Sequence, residues 1–257
     1  MKYAATFMVF CLLIIVALLL NSCEGKKSAP TVAAYQPEPE TKPVERELSP
    51  LGKNVQAATG LLYNRSVENG YLKFLCMATA FDKTDNVYQF VTMTTCFPGE
   101  KKTNPANLYI NFGQEDKTIF YPAKIVFAED WSEDKAGFVI LEAKIDKPIP
   151  TISFNSNHPE DGEQVFSFYN LPQPGKLFAY GQTHAVGRHP FEGAIAVQPS
   201  GLLTIGAPVV SYSQKAVVAI IYQPVMAERN GSTIYLSIGV PATRFHHLLK
   251  RMRNSQK

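Results

Sequence analysis

The sequence has almost no charge of one sign to spare. Against 25 Lys and Arg stand 22 Asp and Glu, a formal net of +3 over 257 residues. So close a balance provides no electrostatic footprint for nucleic acid, and none is expected as a partner. Charge is sparse as well, at 18% of residues against 46% hydrophobic, which excludes a disordered chain and leaves room for one large domain or two small ones. No internal repeat or cofactor-binding signature is visible, so no cofactor or metal is expected. Histidine is rare and late: His158, His184, His189, His246 and His247 are the whole supply, and none precedes residue 158. Cysteine is rarer still, with four.

The chain opens with an apolar N-terminus. Lys2 precedes a run from Ala4 to Leu20 in which Thr6 is the one polar residue. The run is long for the apolar part of a secretory signal and short for a bilayer-spanning helix. It ends in Leu20-Asn21-Ser22-Cys23, which resembles the lipobox of bacterial lipoproteins: an aliphatic residue three before the Cys and a small residue directly before it, with Asn21 a less usual choice between them. That resemblance implies a signal peptide over residues 1–22, removed to leave Cys23 acylated, and a membrane partner reached through the lipid. Two or more acyl chains make a stable anchor where one is marginal. An uncleaved signal anchor and an ordinary secreted protein are the alternatives. Glu24 follows the cysteine where an Asp typically signals inner-membrane retention, so within a bacterial cell envelope the periplasmic face of the outer membrane is favoured over the inner membrane.

With Cys11 in the segment to be removed and Cys23 carrying lipid, Cys76 and Cys96 remain. An even pair in an exported chain reads as one disulfide, and two buried free thiols are the alternative. A bridge would contribute about 3 kcal/mol on the chain-entropy model. Residues 23–52 read as the lipidated cysteine and a disordered tether, because Pro30, Pro37, Pro39, Pro43 and Pro50 fall there among polar residues without hydrophobic periodicity. Such a coil spans roughly 30 Å. The folded domain is expected over 53–253, with 254–257 as a basic tail.

Within that domain, short segments rich in β-branched and aromatic residues recur at 72–78, 87–94, 108–112, 119–127, 137–141, 164–168, 178–183, 207–211, 216–222 and 234–240. Turn clusters such as Asn69-Gly70, Glu160-Asp161-Gly162 and Pro172-Gln173-Pro174-Gly175 separate them. This density of strands predicts an all-β sandwich or a pair of barrels. A helix closes the chain. Phe245, Leu248, Leu249 and Met252 recur at helical spacing after Pro241, with Arg244, Lys250, Arg251 and Arg253 on the other face or in the last turn. Those cations complement the helix dipole, and contact with anionic lipid is their second reading.

Taken in order, the segments from near Ala57 to Leu249 resemble a trypsin-like serine protease domain of the HtrA-like branch. Cys76-Met77-Ala78-Thr79-Ala80-Phe81 is similar to the strand before the family's catalytic His, and Val91-Thr92-Met93-Thr94-Thr95-Cys96 to its L-T-A-A-H-C segment. Asp134-Lys135-Ala136 before Phe138-Val139-Ile140-Leu141 resembles the strand that bears the acid, and Glu160-Asp161-Gly162-Glu163-Gln164-Val165 the V-G-D-x-V turn. Gly206-Ala207-Pro208-Val209-Val210 and then Val217-Val218-Ala219-Ile220 resemble the stretch after the nucleophile, and Ile238-Gly239-Val240-Pro241 the closing segment. The resemblance implies two six-stranded antiparallel β-barrels with a C-terminal helix, and it pairs Cys76 with Cys96.

The same correspondence leaves little chemistry. Thr95 stands at the family's His position, Asp134 at its acid, Ile205 at its nucleophilic Ser and Leu203 at the Gly of its oxyanion hole. The family places its base ahead of the acid, yet no histidine precedes Asp134. A threonine hydroxyl does not titrate near neutrality, and isoleucine has no nucleophilic atom. Loss of the triad's nucleophile or base alone costs about a million-fold in turnover. No catalytic residues are therefore expected, and Asp134 is expected to cap Thr95 or a backbone amide. His246 and His247, adjacent on a helix, face different directions and are not expected to share a metal. The expected function is that of a membrane-anchored, non-catalytic pseudoprotease holding a protein or peptide in the inter-barrel cleft by strand addition. The alternative is an active envelope hydrolase with a relocated site at Ser200 and His184 or His189; a purely structural envelope lipoprotein is the third reading.

Overall fold

A computed structural model describes residues 49–97, 107–112, 119–129, 136–155, 157–170, 176–185, 194–199, 203–229 and 231–255; for residues 169–170, 176–185, 199, 227–229 and 255 it describes the backbone alone. The ordered unit opens earlier than the proline content suggests. Ser49 caps helix α1 (Pro50–Ala58), its hydroxyl accepting from Gly52 N at 3.2 Å, and Pro50 occupies the first turn, where its missing N–H costs nothing. Val55 and Ala58 are fully buried, and the Thr59 hydroxyl donates to Val55 O at 2.8 Å. Residues 50–52, expected to belong to the tether, are helical, because a short amphipathic turn here has a core to pack on.

Twelve strands follow: β1 (Thr59–Arg65), β2 (Leu72–Thr84), β3 (Val87–Met93), β4 (Leu108–Asn111), β5 (Tyr121–Ala128), β6 (Phe138–Lys144), β7 (Gln164–Asn170), β8 (Lys176–Ala185), β9 (Ile195–Pro199), β10 (Pro208–Ser211), β11 (Val217–Arg229) and β12 (Ser232–Pro241). The first six close into a barrel in the order β1-β2-β3-β6-β5-β4, and the last six into a second with the same winding, β10-β11-β12-β9-β8-β7. Every ladder is antiparallel, with β1 on β4 and β7 on β10 completing the two rings. This is the all-β double barrel with a C-terminal helix that the sequence predicts. Register shifts at Leu62/Tyr63, Ile125/Phe127 and Ile221/Gln223 are bulges, which let strands this long bend around a small barrel. The connector between barrels is held by both: Ile152 N donates to Ala80 O in the first, and Asn155 N to Val217 O in the second.

Helix α2 (Ala242–Ser255) follows the second barrel, lies beside its β11, and sends Phe245 into the first barrel. It runs to Ser255, so residues 254 and 255 are helical, not part of a tail as predicted. Phe245 is completely buried, and its ring lies 5.0 Å from Phe81, 5.2 Å from Phe138 and 4.9 Å from Phe154. Beside this aromatic nest, Glu129 accepts from Phe138 N at 3.0 Å and pairs with Arg244 at 3.4 Å and Arg251 at 3.0 Å. One carboxylate thus fixes the helix to the start of β6. Truncating a buried aromatic costs about 3–5 kcal/mol, whereas an exposed substitution stays within about 0.5 kcal/mol. Phe245→Ala is accordingly expected to lower the free energy of unfolding by about 3–5 kcal/mol and shift the urea midpoint down, and Lys250→Ala to leave both in place, in equilibrium unfolding followed by circular dichroism.

Candidate functional site

The seam between the barrels is built from two turns. The first is a 3₁₀ turn, Thr94–Cys96, that ends β3. It is riveted on three sides. Cys96 is disulfide-bonded to Cys76 on β2, with the two Cα atoms 5.6 Å apart. Thr94 N donates to Gly137 O at 2.9 Å, and Gly137 N returns a bond to the Thr94 hydroxyl at 3.2 Å. On the third side, the Thr95 hydroxyl donates to Tyr222 O on β11 at 2.9 Å, a contact across the barrels between residues 127 apart in sequence.

The second turn runs from Leu203 to Ala207 and leads into β10. Met77 N donates to Ile205 O at 2.9 Å, Gly206 N to Ile221 O at 2.8 Å, and Ile221 N to Ala207 O at 2.9 Å. Gly206 has φ +78°, and a Cβ there would lie 2.0 Å from Met77 O and 2.6 Å from the Thr92 hydroxyl. Glycine is required on both counts, conformation and space. Leu203 N donates to the Ser237 hydroxyl on β12 at 3.2 Å, and both residues are buried, at 2% and 0% exposure. The turn therefore lies directly against β12.

These contacts bring Thr95 and Ile205 to one place by two routes. Thr95 is next to Cys96, whose disulfide partner Cys76 precedes Met77, and Met77 holds Ile205 O. On the other side Thr95 holds Tyr222 O, and the preceding Ile221 holds Gly206. Thr92 fills the middle: buried, it donates to Met77 O at 2.7 Å, with its hydroxyl 2.9 Å from Cys96 Sγ and 3.3 Å from Cys76 Sγ. The groups so presented are poor in acid–base chemistry. The Thr95 hydroxyl gives its proton to a carbonyl, Ile205 offers saturated hydrocarbon, and the Leu203 N–H is spent on Ser237.

The other predicted site residues are dispersed or lie elsewhere. Asp134, Ser200 and His189 fall outside the described residues, as does the lipidation candidate Cys23. His184 lies on β8 opposite Ala196, with its backbone alone described. His158 Nδ1 is 2.9 Å from Pro159 O, and His246 Nε2 meets Phe154 O, contacts that do not involve the seam. Among the described residues no three of His, Cys, Asp and Glu gather as a metal site.

One polar cluster escaped the sequence reading. Glu163 accepts from the hydroxyls of Ser211 and Ser213, from Gln214 Nε2 at 3.0 and 3.2 Å, and from Glu160 N at 3.0 Å. Partial burial pushes its carboxyl up, but the hydroxyls of Ser211 and Ser213, the Glu160 amide and Gln214 together prevail and hold it below its ordinary value of 4.5. A carboxylate so held is a weaker base, and the cluster serves to staple the β10–β11 turn to the start of β7. Only the acidic turn Glu160-Asp161-Gly162-Glu163 hinted at it, since the donors lie some fifty residues away.

No protein-family model matches the chain, and no curated protein does. Solved structures do. Kallikrein-related peptidase 10 superposes with a TM-score of 0.55 at 11% identity, covering 78% of this chain and 97% of its own. Rv3671c from M. tuberculosis H37Rv, as an inactive mutant form, superposes with a TM-score of 0.55 at 12% identity, covering 79% and 90%. Both neighbours span nearly their whole length, and the likeness establishes the trypsin-like serine protease fold.

Two stability measurements test this geometry. Gly206→Ala is expected to cost at least about 2 kcal/mol, because the added carbon meets backbone at a left-handed residue; Gly231→Ala has the strain of a positive φ with open space around it, and is expected to cost less. The Glu163 staple contributes stability above the ordinary carboxylate pKa and loses it as pH falls through the depressed folded value. The gap between wild type and Glu163→Gln in unfolding titrations is therefore expected to be constant near neutrality and to close in acid.

Proposed function

We propose that this chain is a membrane-anchored, non-catalytic pseudoprotease of trypsin-like fold that holds a protein or peptide in its inter-barrel cleft as a scaffold, decoy or regulator. The Thr95–Tyr222 contact carries the reading. In a working triad the residue at this turn takes a proton from the nucleophile. Here it gives one to a carbonyl, and Ile205, on the turn held by Met77 at the same seam, has no nucleophilic atom. The buried Leu203 N–H bonded to Ser237 further removes a donor that an oxyanion would need.

A strand-adding ligand has a place to go. β11 pairs with β10 up to Ile220 and with β12 as far as Arg229. From Gln223 onward, no described strand pairs with the edge of β11 that faces away from β12, and Gln223 is exposed there. Backbone groups on such an edge bind an extended peptide without any help from a triad. Pro224 removes one donor from that edge, which limits how much of a ligand strand it pairs.

The anchor in this reading is the acylated Cys23, followed by a tether to Ser49, with the domain held in a bacterial cell envelope on the periplasmic side of the outer membrane. Labelled palmitate is expected in wild type and absent from Cys23→Ser. For the cleft, a fluorophosphonate probe and casein cleavage are the decisive assays. The full chain is expected to take up no probe and release no peptides. Labelling that disappears in Ser200→Ala would replace the reading with a hydrolase whose nucleophile has moved.

A further inference from the structure

Helix α2 carries Arg244, His246, His247, Lys250, Arg251 and Arg253 and no carboxylate at all. Its cations divide into two sets. Arg244 and Arg251 are committed to Glu129, on the flank that faces the start of β6. Lys250 and Arg253 make no ion pair among the described residues. At 100° per residue, His247, Lys250 and Arg253 point away from Phe245, Leu248 and Met252, and all three are exposed, whereas the His246 ring turns to Phe154 O. The helix thus shows the solvent a strip of one sign while its own counter-charge is spent on the other flank.

The position of this strip matters. α1 delivers the chain into β1 at Thr59, which pairs with Thr79 on β2. Two residues further along β2, the Phe81 ring packs on Phe245 of α2. The start of β1 and the basic helix therefore lie against neighbouring residues of the same strand, β2.

Resting on the proposed lipid anchor, we infer that the outward face of α2 docks on the anionic headgroups of the anchoring membrane. Lys250 and Arg253 are the contacts, with His247 on the same face. The lipid anchor confines the domain near the bilayer, and the basic strip orients it there. Attraction of this kind is worth a fixed increment per cation and is screened by salt.

The test uses the full-length protein reconstituted in vesicles of phosphatidylcholine alone or with about a third phosphatidylglycerol, at low ionic strength and at about 0.5 M salt. Asn254→Cys, next to the strip, carries a bimane label, and the vesicles contain a lipid with a nitroxide on its headgroup. Quenching is expected on the anionic vesicles at low salt, and neither on neutral vesicles nor at high salt. Lys250→Gln with Arg253→Gln, both exposed and without packing to lose, is expected to lower the ratio of docked to undocked helix about 30-fold at unchanged melting temperature. Equal quenching on both vesicle types, or quenching indifferent to the double substitution, overturns the inference. Retention on the neutral vesicles reports the lipid anchor by itself. Protein that floats free of them refutes the anchoring, while the anionic vesicles still score α2.

Discussion

The close approach of one backbone to another at Met77 and Gly206 is the constraint on which the inter-barrel geometry rests. The β2 carbonyl occupies the space where any side chain at Gly206 would begin. Both barrels close independently through their own ladders, but their mutual position is set where the turn before β10 lies on β2. Met77 presents its N–H to Ile205 and its carbonyl to Thr92, so one residue is shared between the seam and the packing around the disulfide. The disulfide then adds a covalent reason for the 3₁₀ turn to stay where Thr95 reaches β11.

Around this contact, the site is a well-supported frame holding side chains with little reactivity. The Ile205 carbonyl and the Leu203 and Gly206 amides all have protein partners, and the Thr95 hydroxyl takes part in the same closure. In an enzyme of this architecture, some of those donors must stay uncommitted until charge develops on the substrate. Here the Leu203 and Gly206 amides are used within the second barrel, while Met77 N–H on Ile205 O and the Thr95 hydroxyl on Tyr222 O join it to the first. From Gln223 onward, the edge of β11 that faces away from β12 has no strand partner among the described residues.

How much of this was legible in the sequence depends on whether the signal was local. Strands such as β3 and β12 announce themselves by β-branched and aromatic residues between turns, and α2 by the spacing of Phe245, Leu248 and Met252. The pairing of Cys76 with Cys96 followed from parity in an exported chain and from the resemblance, and the structure joins them. β1 and β9 escaped notice. Gly60 and Asn64 interrupt the first, and residues on both faces of it are buried, so no alternation survives. Helix α1 was hidden because Pro50 counted among the prolines of the tether, although proline suits a first turn. The Thr95 hydroxyl finds its partner in a backbone carbonyl on a strand 127 residues away, which no local pattern encodes, while Asp134, expected to cap Thr95 or a backbone amide, lies outside the described residues. The serine ring around Glu163 was missed for the same reason.

The position of Phe245 has a consequence for how the polypeptide comes into being. A socket formed by Phe81, Phe138 and Phe154 is filled by a residue of the helix that comes after all twelve strands. While the chain is being synthesised, the N-terminal half can wind its strands but has no plug for that socket, and it presents bare aromatic surface until the helix emerges. Completion of the first half thus waits on the last element made. Termination ahead of that helix, or its fraying, strips the half made first of a core residue that it cannot supply itself.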